Sequence, residues 1–177
     1  WSTTTCKVGT CLSFDGADDY VNAGSGASLA VSSAVTAEAW IKPNTLTGYP
    51  NAIRGGGYKG YLLRVSQNGD AKLTPHIYTN TYYTCSGATT IPLNQWTYVA
   101  MTYDGTTIKG YVNGVQDCSA PPVVGGNLVP STSGTQIGLE LGTGEGMFNG
   151  TIDEVRIYNR ALSSDEIRIQ YLRVTNA

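Results

Sequence analysis

Three carboxylates near the start of the chain have a spacing that could support chemistry. Asp15, Asp18 and Asp19 fall within five positions of the stretch CLSFDGADDYVNAG, residues 11–24. Aspartates close turns by bonding the nearby backbone, bind Ca²⁺ through oxygen, and in pairs catalyse glycoside hydrolysis. GADDY is a typical turn sequence, so we expect Asp18 and Asp19 mainly to shape a bend. None of the three is expected to do acid–base work.

The other candidates for catalysis are Glu140, Glu145 and His76. The two glutamates of GLELGTGEG are an odd number of positions apart, so on a strand their side chains would point to opposite faces. His76 is the single histidine, so an imidazole base would have to be this residue. No E-x-D-x-x-E pattern, which places carboxylates at alternate strand positions, and no G-x-S-x-G motif occurs. We predict no catalytic residues.

Aromatic and polar residues between positions 54 and 83 form a candidate ligand-binding set. Sugar rings have apolar faces and hydroxyl edges, so carbohydrate sites combine aromatic rings with a few polar groups. Alternation on a strand would place His76 and Tyr78 on one face. Some of the tyrosines must pack inside, because tyrosine is also a good strand residue. The predicted ligand-binding residues are Arg54, Tyr58, Tyr61, His76, Tyr78, Tyr82 and Tyr83.

The four cysteines are predicted to form disulfides. They lack the C-x-x-C spacing of zinc sites, and there is no second histidine for a mixed site. Four cysteines allow three connectivities, of which we expect Cys6 with Cys11 and Cys85 with Cys118. Buried free thiols are the alternative. Disulfides would place maturation of the chain in an oxidising compartment.

Composition and charge narrow the class of protein. A length of 177 residues predicts one domain, residues 1–177. The net charge of −2, with scattered Lys and Arg, argues against a nucleic-acid partner, and the apolar runs are too short for membrane insertion. Low charge with many Gly and Tyr favours an extracellular β protein. Because the chain begins with Trp1, we expect a processed protein or part of a longer one.

Turn signals divide the chain into short strands. Asn-Gly and Asp-Gly favour two-residue hairpin turns between β segments, and the chain has them at positions 68–69, 104–105 and 113–114. Apolar and polar residues alternate in SAVTAEAWIKP, which adds another strand. Residues 120–134 contain three prolines and three glycines and indicate a long loop.

A single helix is predicted, close to the end of the chain. In ALSSDEIRIQYL, Ser163 and Glu166 have the spacing of a capping box. Many short strands without βαβ alternation predict an all-β fold. We therefore predict a two-sheet antiparallel β-sandwich of the jelly-roll type with a short C-terminal helix.

Three stretches together resemble laminin-G-like, concanavalin A-like jelly-roll domains. They are LSFDGADDYVNAG, NQWTYVAMTYDGTTIKGYVNGV and FNGTIDEVRIYNRALSSDEI, and the resemblance covers about residues 12–172, with residues 1–11 as an N-terminal extension. It implies two sheets of six or seven strands, with the first and last strands adjacent, and a family dominated by glycan binding and adhesion. Trp40 and Trp96 lie in its framework motifs, so we expect both to be structural.

The resemblance also implies a structural Ca²⁺. Related domains hold this ion partly through an aspartate of the C-terminal strand, and Asp153 matches that position. If the first and last strands pair, Asp15 is expected to approach Asp153, and two close carboxylates favour a bound cation. We predict Asp15, Asp18 and Asp153 as the metal ligands, with turn formation as the alternative role of Asp18.

These observations predict a non-catalytic, extracellular carbohydrate-binding or adhesion module with a structural Ca²⁺, secreted or on a cell surface. Its partner would be a glycan or polysaccharide, free or on a glycoprotein, and the module would be part of a larger multidomain protein. Two alternatives stay open: a protein-interaction or scaffold domain, and a polysaccharide-cleaving enzyme on the same fold. Asn149, Gly150 and Thr151 also match the N-glycosylation acceptor pattern.

Overall fold

The computed structural model describes residues 6–56, 60–120, 126–129, 134–139 and 146–175. It contains twelve strands, a single 3₁₀ turn at Ala27–Leu29 and one α-helix. In chain order the elements are β1 (Leu12–Asp15), β2 (Val21–Gly24), β3 (Val35–Thr45), β4 (Asn51–Gly55), β5 (Tyr61–Arg64), β6 (His76–Tyr78), β7 (Tyr82–Thr84), β8 (Thr97–Tyr103), β9 (Ile108–Val112), β10 (Val115–Ser119), β11 (Thr135–Ile137), β12 (Asn149–Tyr158) and α1 (Ser164–Thr175).

The strands form two antiparallel six-stranded sheets. Sheet I has the order β1-β12-β3-β8-β9-β10, and sheet II has the order β2-β11-β4-β5-β6-β7. Neighbouring strands in both sheets pair antiparallel, and the first and last strands of the chain, β1 and β12, are adjacent. This confirms the predicted two-sheet antiparallel sandwich, and it is consistent with a jelly roll.

The core lies between the two sheets. On β3, Val35, Ala37, Ala39 and Ile41 face inward and are fully buried, as alternation along a strand requires. Sheet II contributes Ile53, Leu63 and Ile77 to the same cluster, among others. Inner positions of both sheets are therefore apolar, and the outer positions differ between the sheets.

Turn chemistry explains part of the strand connections. Asn113 and Gly114 both have positive φ angles, 49° and 77°, as a type I′ turn between β9 and β10 requires. Asp104 instead accepts the N–H groups of Thr106 and Thr107, so the β8–β9 connection is an Asp-capped loop rather than a I′ turn. The pair at 68–69 also has positive φ angles, but it lies within the longer β5–β6 connection. The predicted loop at 120–134 lies mostly outside the described residues.

Helix α1 has the predicted capping box. The N–H of Ser163 donates to Glu166 Oε2 at 2.9 Å, and the N–H of Glu166 donates to Ser163 Oγ at 3.3 Å. Ile167 and Val174 are buried against the outer face of sheet I, in a cluster that includes Trp40 and Tyr98. Within the described residues, no helix has the length and apolar character to cross a membrane.

Both predicted disulfides are present, so all four cysteines are paired. Cys6–Cys11 closes a short loop just before β1. Cys85–Cys118 joins the residue after β7 to β10, two strands that form the edges of different sheets. The second disulfide therefore closes one side of the sandwich.

Candidate functional site

The outer face of sheet II presents a row of side chains that crosses all six strands. Residues directly opposite each other in antiparallel strands point to the same face, with Cβ atoms about 5 Å apart. The inner positions next to this row, such as Ile53 and Ile77, lie in the core, so the row faces outward. In order across the sheet it consists of Asn22, Gln136, Arg54, Leu62, His76 and Thr84.

Burial varies strongly along this row. Arg54 and Gln136, at its centre, are only 2% and 7% exposed, whereas His76 is half-buried and Thr84 is exposed. A ligand on this face can therefore contact the side chains of β6 and β7 but not those at the centre of the row. Arg54 lies on the same face as His76, but it is too buried to contact a ligand in this conformation. Its predicted role in ligand binding is therefore contradicted.

Two tyrosines form an accessible aromatic pair at the β6–β7 edge. Tyr78 and Tyr82 are directly opposite each other, their ring centroids are 4.9 Å apart in an edge-to-face arrangement, and Tyr82 is 50% exposed. Tyr78 is two positions from His76, so both lie on the outer face. The structure thus brings together three of the predicted ligand-binding residues.

Two other predicted ligand contacts, Tyr61 and Tyr83, point inward. Tyr61 belongs to the core cluster and is 2% exposed, and burial raises the pKa of its hydroxyl to about 12. Tyr83 pairs with Ile77 and packs against the same core. The burial of Tyr61 contradicts the prediction that it binds ligand. Tyr83 faces the inner side of β7 and is partly buried, so its role in binding stays a prediction. Tyr58 lies outside the described residues, as do Glu140 and Glu145.

His76 acts as a neutral hydrogen-bonding group. Its Nε2 lies 3.2 Å from Gln67 Oε1. Burial lowers the pKa of His76 to about 4, and the positive charge of Arg64 adds to the effect. The imidazole is therefore uncharged at neutral pH. Its ring nitrogens place hydrogen-bonding atoms beside the tyrosine pair.

Three residues that the sequence reasoning did not single out complete this part of the face. The Arg64 guanidinium carbon lies 5.2 Å from the centre of the Tyr49 ring, and Arg64 Nε donates to Asn51 Oδ1 at 3.3 Å. Arg64 is two positions from Leu62, so strand alternation alone would have placed it on this face. Tyr49 lies between strands, and no periodic signal predicts its position.

The aspartate cluster lies at the turn between β1 and β2. Asp15, Asp18 and Asp19 are exposed, and one carboxylate oxygen from each lies within 4.8 Å of the others. The expected turn chemistry is also present, since Asp15 Oδ1 accepts the N–H of Ala17 and Asp19 Oδ2 accepts the N–H of Asp15. Opposite ligands of Ca²⁺ are about 5 Å apart, so these oxygens fit one such ion.

Asp153 is not part of this cluster. The β1–β12 register places Asp15 opposite Asn149, which leaves Asp153 four positions, or about 13 Å, further along β12. The expected approach of Asp15 to Asp153 is therefore wrong, although their strands do pair. Asp153 is 7% exposed. Its Oδ2 accepts the N–H groups of Lys7 and Val8, each at 2.9 Å, and its Oδ1 accepts that of Glu154.

Asn149 takes the position that the sequence reasoning gave to Asp153. Its Nδ2 donates to the backbone oxygen of Asp15 at 2.8 Å, and its Oδ1 accepts a hydrogen bond from Asn44 Nδ2 at 2.9 Å. The side chain thereby ties β1 to β12 and β3 beside the aspartate turn. Both ends of the amide are used inside the fold.

The two-sheet fold is that of a concanavalin A-like β-sandwich. The chain belongs to the concanavalin A-like lectin/glucanases superfamily, since the Laminin_G_3 family model matches residues 15–168. This confirms the resemblance inferred from the sequence motifs. A search of curated protein sequences finds no match.

Solved structures with the same fold include carbohydrate-binding domains. Domain 4 of AbnA, a GH43 extracellular arabinanase from Geobacillus stearothermophilus solved with arabinotriose, has a TM-score of 0.75 at 22% identity, over 94% of this chain and 78% of that one. The CBM40 domain of the Ruminococcus gnavus IT-sialidase, bound to α2,3-sialyllactose, has a TM-score of 0.66 at 15% identity, over 87% and 97%.

A pentraxin shares the fold as well. The heptameric SAP-like pentraxin from Limulus polyphemus has a TM-score of 0.68 at 18% identity, and the match covers 88% of this chain and 78% of that one. At these identities the similarities establish the fold alone. The arabinanase domain and the CBM40 domain are the two of these three that were solved with an oligosaccharide.

Proposed function

We propose that this protein is a non-catalytic glycan-binding domain and that its ligand lies on the outer face of sheet II. The observation that carries the proposal is the Tyr78–Tyr82 pair, in which Tyr82 is exposed and Tyr78 half-buried, beside the polar contact of His76 with Gln67. The two carbohydrate-binding neighbours that were solved with oligosaccharides support it at the level of the fold.

The chemistry of the surface suits a neutral sugar face. An aromatic ring covers the apolar C–H face of a pyranose, and nearby polar atoms bond its hydroxyls. The tyrosine pair is held edge-to-face across two strands, so little side-chain freedom is lost on binding. The neutral His76 and Gln67 supply donors and acceptors without a charge to desolvate.

We further propose a structural Ca²⁺ bound by Asp15, Asp18 and Asp19, with Asp153 excluded from its ligands. The ion would offset two of the three negative charges of carboxylates whose oxygens lie within 4.8 Å of one another. Water would complete the six to eight oxygens that Ca²⁺ prefers. Bound there, the ion would stabilise the β1–β2 turn, far from the tyrosine pair on the opposite edge of sheet II.

An extracellular location and a place within a larger protein complete the proposal. Two disulfides are typical of secreted and surface proteins. The two oligosaccharide-bound neighbours are described as domain 4 of an extracellular arabinanase and as the CBM40 domain of a sialidase. We infer that this domain likewise targets a larger protein to a polysaccharide or to a glycoprotein.

A glycan array with matched tyrosine variants tests the proposal. Tyr82→Ala removes a ring that is 50% exposed, and Tyr20→Ala removes one that is 51% exposed next to the opposite edge strand, β2. We expect wild type and Tyr20→Ala to bind the same glycans and Tyr82→Ala to lose most of the signal. Equal loss in both variants, or none in either, would contradict the proposed site.

The two alternatives give different results in the same samples. Reducing-sugar and unsaturated-product assays on every glycan that binds should detect no turnover. Turnover abolished by His76→Ala would establish the enzyme alternative. Absence of glycan binding, with capture of a defined protein partner, would favour the scaffold alternative.

A further inference from the structure

Tyr49 forms a second aromatic position on the outer face of sheet II, at a distance from the Tyr78–Tyr82 pair. Its ring lies against the Arg64 guanidinium, 5.2 Å from the ring centre. Its hydroxyl donates a hydrogen bond to Asn68 Oδ1 in the β5–β6 connection. These two contacts pack the half-buried ring against Arg64 and link its hydroxyl to the β5–β6 connection.

The two aromatic positions are separated along the strands. Arg64, against which Tyr49 packs, accepts a hydrogen bond at its backbone oxygen from the N–H of Thr74, at 2.9 Å. Tyr78 is four positions beyond Thr74 on the same segment, which corresponds to about 13 Å of extended chain. That separation exceeds the width of one sugar ring. A monosaccharide can therefore contact one position or the other, and only a chain can contact both.

Polar side chains line the surface between the two aromatic positions. His76 lies between Thr74 and Tyr78 in the chain, and it bonds to Gln67, the residue next to Asn68. Arg64 and Asn51, which bond to each other, are buried at 9% and 0% exposure and do not line this surface. The accessible hydrogen-bonding groups between Tyr78 and Tyr49 are therefore those of His76, Gln67 and Asn68, with an aromatic ring at each end.

We propose that the site binds a linear oligosaccharide along β6, with one sugar ring at Tyr78 and Tyr82 and another at Tyr49. The inference rests on the proposed glycan-binding function and adds its ligand class, an extended chain rather than a single terminal sugar. Tyr49 becomes a specificity-determining residue that selects for ligand length. An aromatic contact with favourable geometry is worth about 0.5–1.5 kcal/mol, or about twofold to tenfold in affinity.

The test is the dependence of affinity on chain length. Arabino-, xylo- and cello-oligosaccharides, each from the monosaccharide to the hexasaccharide, are titrated calorimetrically into wild type, Tyr49→Ala, Tyr49→Phe and Tyr82→Ala, with Tyr20→Ala as the exposed-tyrosine control. We expect wild-type affinity for the preferred series to rise with length and then level off. Tyr49→Ala should lose about twofold to tenfold for the long chains only.

The other variants separate ring, hydroxyl and fold. Tyr49→Phe keeps the ring and loses only the bond to Asn68, so it should keep the gain with length. Tyr82→Ala should weaken binding at every length. Affinity that is independent of length, or a Tyr49→Ala protein that binds long chains as wild type does, would overturn this inference while leaving glycan binding intact. Absence of binding to all three series in wild type would overturn it for these glycans, and failure on the glycan array would overturn the proposed function itself.

Discussion

The two outer faces of the sandwich use the same residue types for different purposes. On sheet I, Trp40, Tyr98 and Tyr111 are at most 2% exposed, because α1 packs over them. On sheet II, Tyr78 and Tyr82 pair with each other, and Tyr82 is half exposed. An aromatic residue that points outward is therefore structural where another element covers it. Where no described element covers it, the ring is accessible to a ligand.

Trp40, on the outer face of sheet I, is covered by segments from both ends of the described chain. The Tyr171 ring of α1 stacks on it at 5.6 Å, and Lys7 Nζ lies 4.3 Å from its ring centre. Lys7 belongs to the Cys6–Cys11 loop, whose amides also bind Asp153. Both ends of the described chain thus pack on one tryptophan. The outward row across sheet II holds polar side chains at every position except Leu62.

Trp40→Ala should have the largest effect on stability. Removing a buried tryptophan costs about 3–5 kcal/mol through lost packing and the cavity that remains, and here two packed segments lose their support. Tyr82→Ala, on the accessible face, should cost only about 0.5–1.5 kcal/mol, the worth of its aromatic pair with Tyr78. Urea unfolding followed by circular dichroism measures both. Equal losses in the two variants would show that the faces do not differ as described.

The two disulfides should contribute unequally. Cys85 and Cys118 are 33 positions apart and Cys6 and Cys11 only 5, so chain entropy predicts losses of about 4 and about 2 kcal/mol when each pair is changed to alanine. The longer link also follows directly after β7, so its removal should weaken glycan binding, whereas removal of the shorter link should not. Urea unfolding and calorimetric titration give the two values. A greater loss from the Cys6–Cys11 pair would contradict this order.

Calcium should stabilise the fold through the aspartate turn and not through Asp153. At a Ca²⁺ concentration 100 times Kd, linkage predicts about 2.7 kcal/mol of added stability. Asp18→Asn should abolish the rise in Tm on adding Ca²⁺. Asp153→Asn should lower the starting Tm, because it weakens the bonds to the Lys7 and Val8 amides, but it should keep the rise.

Thermal denaturation with Ca²⁺, with Mg²⁺ and with chelator measures these shifts. Loss of the Ca²⁺ response in Asp153→Asn with its retention in Asp18→Asn would restore Asp153 as the ligand. A wild-type Tm that is the same with Ca²⁺ and with chelator would exclude the calcium proposal.

The two faces should also respond to pH in opposite directions. On the outer face of sheet I, burial raises the pKa of Glu38. Glu38 Oε2 accepts a hydrogen bond from the Tyr98 hydroxyl at 2.7 Å. Its contribution to stability is greatest below pH 4.5 and is lost as pH rises through the folded value. Burial lowers the pKa of His76 to about 4, so its contribution is present above pH 6.5 and is lost as pH falls towards 4.

Single substitutions separate these two contributions. His76→Gln should flatten the fall in stability between pH 6.5 and 4, and Glu38→Gln should remove the loss that appears as pH rises above 4.5. Urea unfolding across this range measures both. A His76→Gln profile identical to that of wild type would show that the imidazole does not titrate as described.

Local chemistry made much of the fold predictable from the sequence. The Ser163–Glu166 capping box and the Asn113–Gly114 turn depend only on neighbouring residues, and both are present. The sandwich itself followed from many short strands and the family motifs. The Asp104–Gly105 turn differed because the Asp104 carboxylate captures two backbone N–H groups, a competition that the dipeptide alone does not reveal.

The candidate site was less predictable because it depends on register and on which face is covered. Pairing of β1 with β12 was anticipated, yet only the register shows that Asn149, not Asp153, lies opposite Asp15. Tyr61 and Tyr78 are both tyrosines on strands, and only the strand register shows that Tyr61 points into the core while Tyr78 points outward. Tyr49 joins the face through the bend before β4 and its contact with Arg64, which depends on the tertiary fold.

The central claim is that the ligand occupies the outer face of sheet II, and NMR chemical-shift mapping tests it most directly. The preferred oligosaccharide from the glycan array would be titrated into isotope-labelled protein with assigned backbone and aromatic resonances. We expect the largest changes at Tyr78, Tyr82 and His76, extending to Tyr49 for long chains. Changes concentrated at the Asp15–Asp19 turn or along α1, with these residues unaffected, would contradict the account.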